Sequence, residues 1–130
     1  HRTKTTNRYF NYIYVRMGAH TLIHKRTEDD IWKNLFELPL VETEKDLSEE
    51  EFLACPQFHA LFAEGEVRMV RILLRGVKHV LSHRVIYTNF YEVTLPDNSS
   101  SFSSYQRVAV EDLGRYAVPR LIHAFLEKYV

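Results

Sequence analysis

Runs of aromatic and β-branched residues alternate with short polar breaks along this chain, and they set the expected elements. Tyr9 to Val15 is a dense run of that kind between Arg8 and Arg16, too short for a typical helix, and reads as a buried strand. Gly18, Ala19 and His20 make a turn, and Thr21 to His24 supplies the second strand of a hairpin. Lys25 to Asp30 is a charged loop, and Ile31 to Pro39 runs through a loop into a short strand that ends near Val41. Ser48 starts a helix: Glu51, three residues on, completes a capping box, and Leu47 and Phe52 occupy the staple positions. Pro56 kinks that helix or opens a second one ending near Gly65. Val67 to Leu74 is β-rich, Gly76 breaks it, and a second β-rich run covers Val85 to Leu95. Pro96-Asp97-Asn98 and the serines after it predict a mobile loop. Gln106 to Val110 reads as a return strand. Pro119, at a first helical position, opens a terminal helix with Leu121, Ile122, Phe125, Leu126 and Tyr129 on one face. Strands, helix, strands, helix is an α+β order.

Composition supports an ordered fold. Hydrophobic residues make up 45% of the chain, with eight Tyr and eight Phe, and 130 residues suffice for one core, so residues 1–130 read as one domain. Lys and Arg number 17, as do Asp and Glu, so the overall charge offers no drive for strong independent binding to nucleic acid. A module tethered to a stronger binder stays open. Cys55 is the one cysteine, which leaves no internal disulfide and no cysteine cage for a metal; a reduced intracellular compartment is expected. No apolar run reaches membrane-spanning length, so no membrane partner is expected. His1 to Arg8 is polar and basic and unlike a signal peptide. The first residue is His1 rather than methionine, which reads as a piece of a longer chain.

Enzyme signatures are missing: there is no Walker loop, no Gly-x-Gly-x-x-Gly and no His-Glu-x-x-His. His20 with His24 and His79 with His83 have spacing four, which could share a metal on a helix. In β-rich surroundings four residues span roughly 13 Å, too far for one ion. Ser82 and His83 are adjacent, and in an extended chain they point to opposite faces, which argues against a nucleophile–base pair. The stretch from Val67 to Tyr91 carries Arg68, Arg71, Arg75, Lys78 and Arg84 and no acidic residue, while acids gather between Glu42 and Glu51. Two readings fit the cations: a solvated face, or an edge that meets phosphates.

Two stretches carry a family likeness. Ile31-Trp32-Lys33-Asn34-Leu35-Phe36-Glu37-Leu38-Pro39 is similar to the segment that precedes the catalytic box of Nudix-type domains, and Lys78-His79-Val80-Leu81-Ser82-His83 resembles the Phe-Ser-His loop of the MutT-like C-terminal domain of MutY-family adenine DNA glycosylases. Tyr116-Ala117-Val118-Pro119 is similar to the end of that domain. The likeness implies a Nudix-like mixed sheet flanked by helices. The chain departs from the pattern in three places. Lys33-Asn34 stands where Gly-Gly is usual, and Leu81 stands where Phe is usual. The metal-binding box is absent: the residues six past the four glycines are His24, Arg71, Ser82 and Arg120, none of them Glu. Glu49, Glu50 and Glu51 read better as the start of a helix, favoured by its dipole.

What the resemblance implies is a lesion reader. The parent enzyme would remove adenine opposite 8-oxoguanine with a helical domain and an iron–sulfur cluster outside this segment, which itself would be non-catalytic, without cofactor or metal. Its partners would be double-stranded DNA containing 8-oxoguanine:adenine and its own catalytic domain, in a bacterial cytoplasm. Leu81, Ser82 and His83 would meet the lesion, and Lys78, His79 and Arg84 the phosphates. Guanine offers an N7 acceptor in the major groove; oxidation turns N7 into a donor and adds an oxygen at C8. Ser82 Oγ can accept from N7–H, and a loop N–H can donate to the new oxygen. That donor left unpaired against guanine costs about 1–3 kcal/mol. Leu81 would press on the duplex as an apolar wedge. The plainer alternatives are Leu81 in the core and Ser82 capping its own loop. Two other functions stay open: a free-standing Nudix pyrophosphohydrolase and a Nudix-fold protein-interaction domain.

Overall fold

A computed structural model describes residues 5–130; of the basic start expected at His1 to Arg8, the first four residues lie outside the described residues. In chain order the elements are β1 (Thr6–Arg16), β2 (His20–Lys25), β3 (Phe36–Glu37), β4 (Leu40–Thr43), α1 (Glu49–Ala54) and α2 (Pro56–His59). Then follow β5 (Met69–Leu81), β6 (Arg84–Thr94), β7 (Gln106–Ala109), a 3-10 turn (Val110–Arg115) and α3 (Arg120–Tyr129). The strands form a four-stranded sheet of order β4-β1-β6-β5 and a three-stranded sheet of order β3-β2-β7.

β1 lies inside the larger sheet, parallel to β6 and antiparallel to β4. Every side chain from Phe10 to Val15 is buried. A strand covered on both faces has no polar side to present, which is why the apolar run is nearly unbroken. Phe10, Tyr12 and Tyr14 point into one core with Ile86, Phe90 and Phe125. Ile13 and Val15 point into the other, with Tyr91, Val93, Phe52 and Phe58. α3 seals the first core: the rings of Phe90 and Phe125 lie 4.2 Å apart and nearly parallel. α1 seals the second, where Phe52 stacks on Tyr91 at 4.5 Å.

Ser48 and Glu51 form the expected capping box at α1, and Leu47 packs on the core that holds Phe52. Other expectations need correction. Gly76 does not break the strand: β5 runs on to Leu81, and register shifts between Ile72 and Val77 absorb the glycine's φ of +70°. The Gly76 N–H donates to Asn89 Oδ1 at 2.8 Å, which anchors the irregularity. Pro56 does open a second helix, but α2 ends at His59, well short of Gly65. Pro119 is the N-cap of α3, one residue before the first helical position.

The serine-rich stretch is held in place, contrary to the mobile loop expected from its composition. Glu66 accepts hydrogen bonds from Ser99 Oγ at 2.6 Å and Ser101 Oγ at 2.7 Å, and from the Ser101 N–H at 3.2 Å. Phe102 enters the second core. A distant carboxylate therefore supplies the order that local sequence could not announce. Among the described residues no helix is long and apolar enough to cross a membrane.

Candidate functional site

β5 and β6 are joined by two residues. Leu81 and Arg84 are the last pair of the ladder, so Ser82 and His83 form the turn by themselves. Two-residue hairpins favour positive φ at the first central position because only such turns match the strand twist, and Ser82 adopts φ 42°. The strand start of β1 braces the tip, with the Thr6 N–H donating to the His83 carbonyl at 2.8 Å. Ser82, His83 and Arg84 are exposed. Among the described residues the Ser82 hydroxyl and the N–H groups of Ser82 and His83 have no hydrogen-bond partner. The residues are turn-forming rather than extended as expected from their adjacency, and no hydrogen bond joins them.

Residues in register share a face of a sheet. Leu81 with Arg84, and His79 with Ile86, therefore lie on one face of the hairpin, while Lys78 lies with Tyr87 on the other. Leu81 is half-buried and packs on the first core. His79 sets its ring edge-on to Trp32, with centroids 5.9 Å apart, and Trp32 in turn meets Phe10 at 6.0 Å. The three cations expected to act together on phosphates are thus divided. Lys78 and Arg84 are exposed on opposite faces, and His79 is engaged by an aromatic neighbour.

The structure also sorts the five cations between Val67 and Tyr91. Arg71 pairs with buried Glu92 at 2.6 Å, Arg75 with Asp46 at 3.2 Å, and Arg68 donates to the Gly65 carbonyl. Lys78 and Arg84 have no carboxylate partner among the described residues, and both stand near the turn. Asp46 answers part of the basic stretch directly, which leaves Lys78 and Arg84 near the tip, and Arg68 at the far end of β5, without a carboxylate partner among the described residues.

The segment after β2 approaches the same end of the sheet. Lys33-Asn34, in the place of Gly-Gly, does take an unusual turn: Trp32 has φ 58° and Asn34 φ 72°. Asparagine tolerates this region and a bulky indole does not, so the loop is over-determined by its contacts. Arg26 supplies several. It donates to the Ile31 carbonyl at 3.0 Å, to Asp30, and to both oxygens of buried Glu37 at 3.0 and 3.1 Å. Tyr12 donates to Glu37 at 2.7 Å, and burial, with Glu37 adding to it, pushes the Tyr12 phenol well above its ordinary range. His24 Nε2 lies 2.9 Å from Glu37, close enough for an ion pair but not aligned as a hydrogen bond. Arg8 spans Asp30 and Glu42, and its hydrogen bonds hold the Asp30 carboxyl at about 2. Sequence reasoning missed Thr6 and the bracing role of Trp32. The backbone bond of Thr6 left no signal in residue type.

A divalent metal would need several free carboxylates. Among the described residues no three His, Cys, Asp or Glu side chains gather in a metal-holding arrangement. Glu51 is held in the capping box, Glu37 by Arg26 and Glu92 by Arg71, while Glu49 and Glu50 lie exposed at the start of α1. The residues present do not fit a metal of the Nudix kind. A cavity of about 690 Å³ opens at the far end of the sheet, around Arg16, His20, Arg71 and Tyr129.

The sequence matches the family description "NUDIX domain" over residues 11–128. None of the curated proteins matches it. Among solved structures, the C-terminal domain of mouse MUTYH, in its complex with human PCNA, superposes with a TM-score of 0.70 at 14% identity, covering 94% of this chain and 86% of that one. The MutT protein of Methanosarcina mazei Go1 gives 0.61 at 17% identity, with 98% and 95% covered. The Nudix hydrolase RenU of M. smegmatis gives 0.59 at 8% identity, with 98% and 85% covered. At such identities the likeness establishes a shared fold, the Nudix-like α+β arrangement.

Proposed function

This chain belongs to the NUDIX domain family, its match spanning residues 11–128, and on that premise we propose that it reads a damaged base rather than hydrolysing a nucleotide. The reading assigns it to the C-terminal domain of a MutY-family adenine DNA glycosylase, where it recognises 8-oxoguanine opposite adenine, with removal of adenine left to a separate catalytic domain carrying an iron–sulfur cluster. The fold does not choose between these roles, because the mouse MUTYH domain and MutT proteins share it. Chemistry favours the reader: no Glu stands six residues past any of the four glycines, and no three acidic or histidine side chains gather in a metal-holding arrangement among the described residues.

One observation carries the proposal. Ser82 stands exposed at the apex of a two-residue turn, with its hydroxyl and the adjacent N–H groups unpaired among the described residues. In this reading Ser82 Oγ accepts from N7–H of the oxidised purine and a turn N–H donates to the oxygen at C8. Guanine would leave that N–H facing a C–H, a penalty of about 1–3 kcal/mol if buried. Leu81, half-buried, offers only part of its side chain to the duplex. Arg84, on the face of Leu81, would hold a phosphate and set register without reading sequence, and His83 would flank the lesion beside Ser82.

Fluorescence anisotropy with duplexes that differ only in 8-oxoguanine:adenine against guanine:adenine tests this. Preference for the oxidised duplex by about 5-fold or more is expected, reduced by Ser82→Gly. Equal affinities would remove the assignment. Pyrophosphate release from nucleoside triphosphates with magnesium would replace it with hydrolysis.

A further inference from the structure

Beside the turn, the sheet presents a surface that the proposed lesion contacts leave unused. Val80, Val85 and Asn7 are in register across three strands, and one step further from the tip so are Lys78, Tyr87 and Tyr9. Residues in register share a face, and these six lie on the face opposite Leu81 and Arg84. Tyr9 and Tyr87 stack at 5.6 Å with planes 16° apart. Neither ring, nor Val80 or Val85, packs into either core. Val80, on the edge strand β5, is 62% exposed. Further along this face the covering begins: Asn89 donates to Asp46, and Phe52 lies on Tyr91. The two rows near the tip are left open by the described residues.

We propose that this face is a stacking platform for single-stranded nucleic acid, with bases on the Tyr87–Tyr9 pair and Lys78 on the backbone phosphate. The chemistry selects that occupant. Aromatic rings on a sheet offer flat π surfaces that any unpaired base can use, and a flanking cation follows the phosphates. Lys78 has no carboxylate partner among the described residues, and none of the six residues is acidic. Asp46 at the lower border is held by Arg75 and Asn89. A protein partner would seek a broader aliphatic patch than two valines. The inference does not depend on the role of Ser82, which projects from the turn itself.

The test is anisotropy of a fluorescein-labelled dT10 strand titrated with the whole chain in about 20 mM salt, with an unmodified duplex of equal length alongside. Binding is expected for the single strand and weaker for the duplex. Tyr87→Phe retains affinity, while Tyr87→Leu loses about 5-fold or more. Lys78→Gln, at an exposed position that carries the test should Tyr87→Leu fail to fold, lowers affinity and reduces the salt slope by about 0.7. Ser82→Gly leaves strand binding unchanged, which separates this surface from the lesion site. No strand binding at low salt, or equal binding by Lys78→Gln and the wild type, overturns the proposal. Loss with Ser82→Gly alone also overturns it and assigns the strand to the turn. Tighter binding of the duplex points to an ordinary phosphate contact and overturns it as well.

Discussion

The amide of Thr6 donates to the carbonyl of His83 at 2.8 Å, tying the first residue of β1 to the turn between β5 and β6. Seventy-six residues of chain lie between the two, so the geometry of the tip depends on a strand that folds elsewhere. Thr6→Pro removes the donor at a strand start, where proline is otherwise tolerated. A loss of about 0.5–1.5 kcal/mol is expected. Amide exchange at Leu81 and Arg84, the last pair of the ladder, should accelerate, while Thr6→Ala, which keeps its N–H, should leave those amides unchanged.

Ser82 stands at φ 42°, a region that costs most side-chain-bearing residues about 1–2 kcal/mol. Ser82→Gly should therefore maintain or raise the melting temperature even as it reduces discrimination of the oxidised base. Ser82→Val, with a β-branched side chain at the same angle, should lower stability by about 1–2 kcal/mol. Thermal melts of both variants separate the conformational role of the position from its chemical one. A destabilised glycine variant would mean that the hydroxyl has a structural task.

Acid should loosen two places together. Hydrogen bonds from Ser99 and Ser101 hold the Glu66 carboxyl at about 2, and those from Arg8 hold Asp30 at about 2. Both values lie below the ordinary carboxylate range, so each group favours the folded state fully above that range. The contribution declines as pH falls from about 4.5 towards 2. Melting temperature followed across this window should drop, and Glu66→Gln should flatten part of the decline. Exchange in residues 99–102 of that variant should resemble the wild type at low pH.

Arg26 and Glu37 form an ion pair inside the protein, with side chains 10% and 2% exposed. Removing one partner leaves a buried charge unanswered, so Arg26→Met should cost about 3–5 kcal/mol in urea unfolding. Combining it with Glu37→Gln should restore part of that loss, since the remaining amide is neutral and Tyr12 can still donate to it. Strict additivity of the two changes would contradict a direct coupling.

Much of this fold was legible before coordinates, because its signals are local. The aromatic run at Tyr9–Val15, the Ser48–Glu51 capping box and the stripe along α3 each record a period or a cap that a few neighbours determine. Gly76 misled for the converse reason. A glycine can end a strand or bend it, and only the partner strand, with Asn89 ready to accept its N–H, decides which. The 3-10 turn at Val110–Arg115 left no distinctive pattern at all. The candidate site was legible as a string of residue types, but its cations proved to be shared out by ion pairs with Asp46 and Glu92.

By itself, the sequence determined most of the strands and helices, and it places no Glu six residues past any of its four glycines. Those are properties of periodicity and residue identity, written within a dozen positions. The tertiary structure alone decided that Lys78 and Arg84 oppose each other, that Glu66 fastens the serine loop, and that Thr6 braces the turn. Hydrogen bonds and charges act over a few ångströms of space regardless of separation along the chain, and only folding brings such distant groups within that reach.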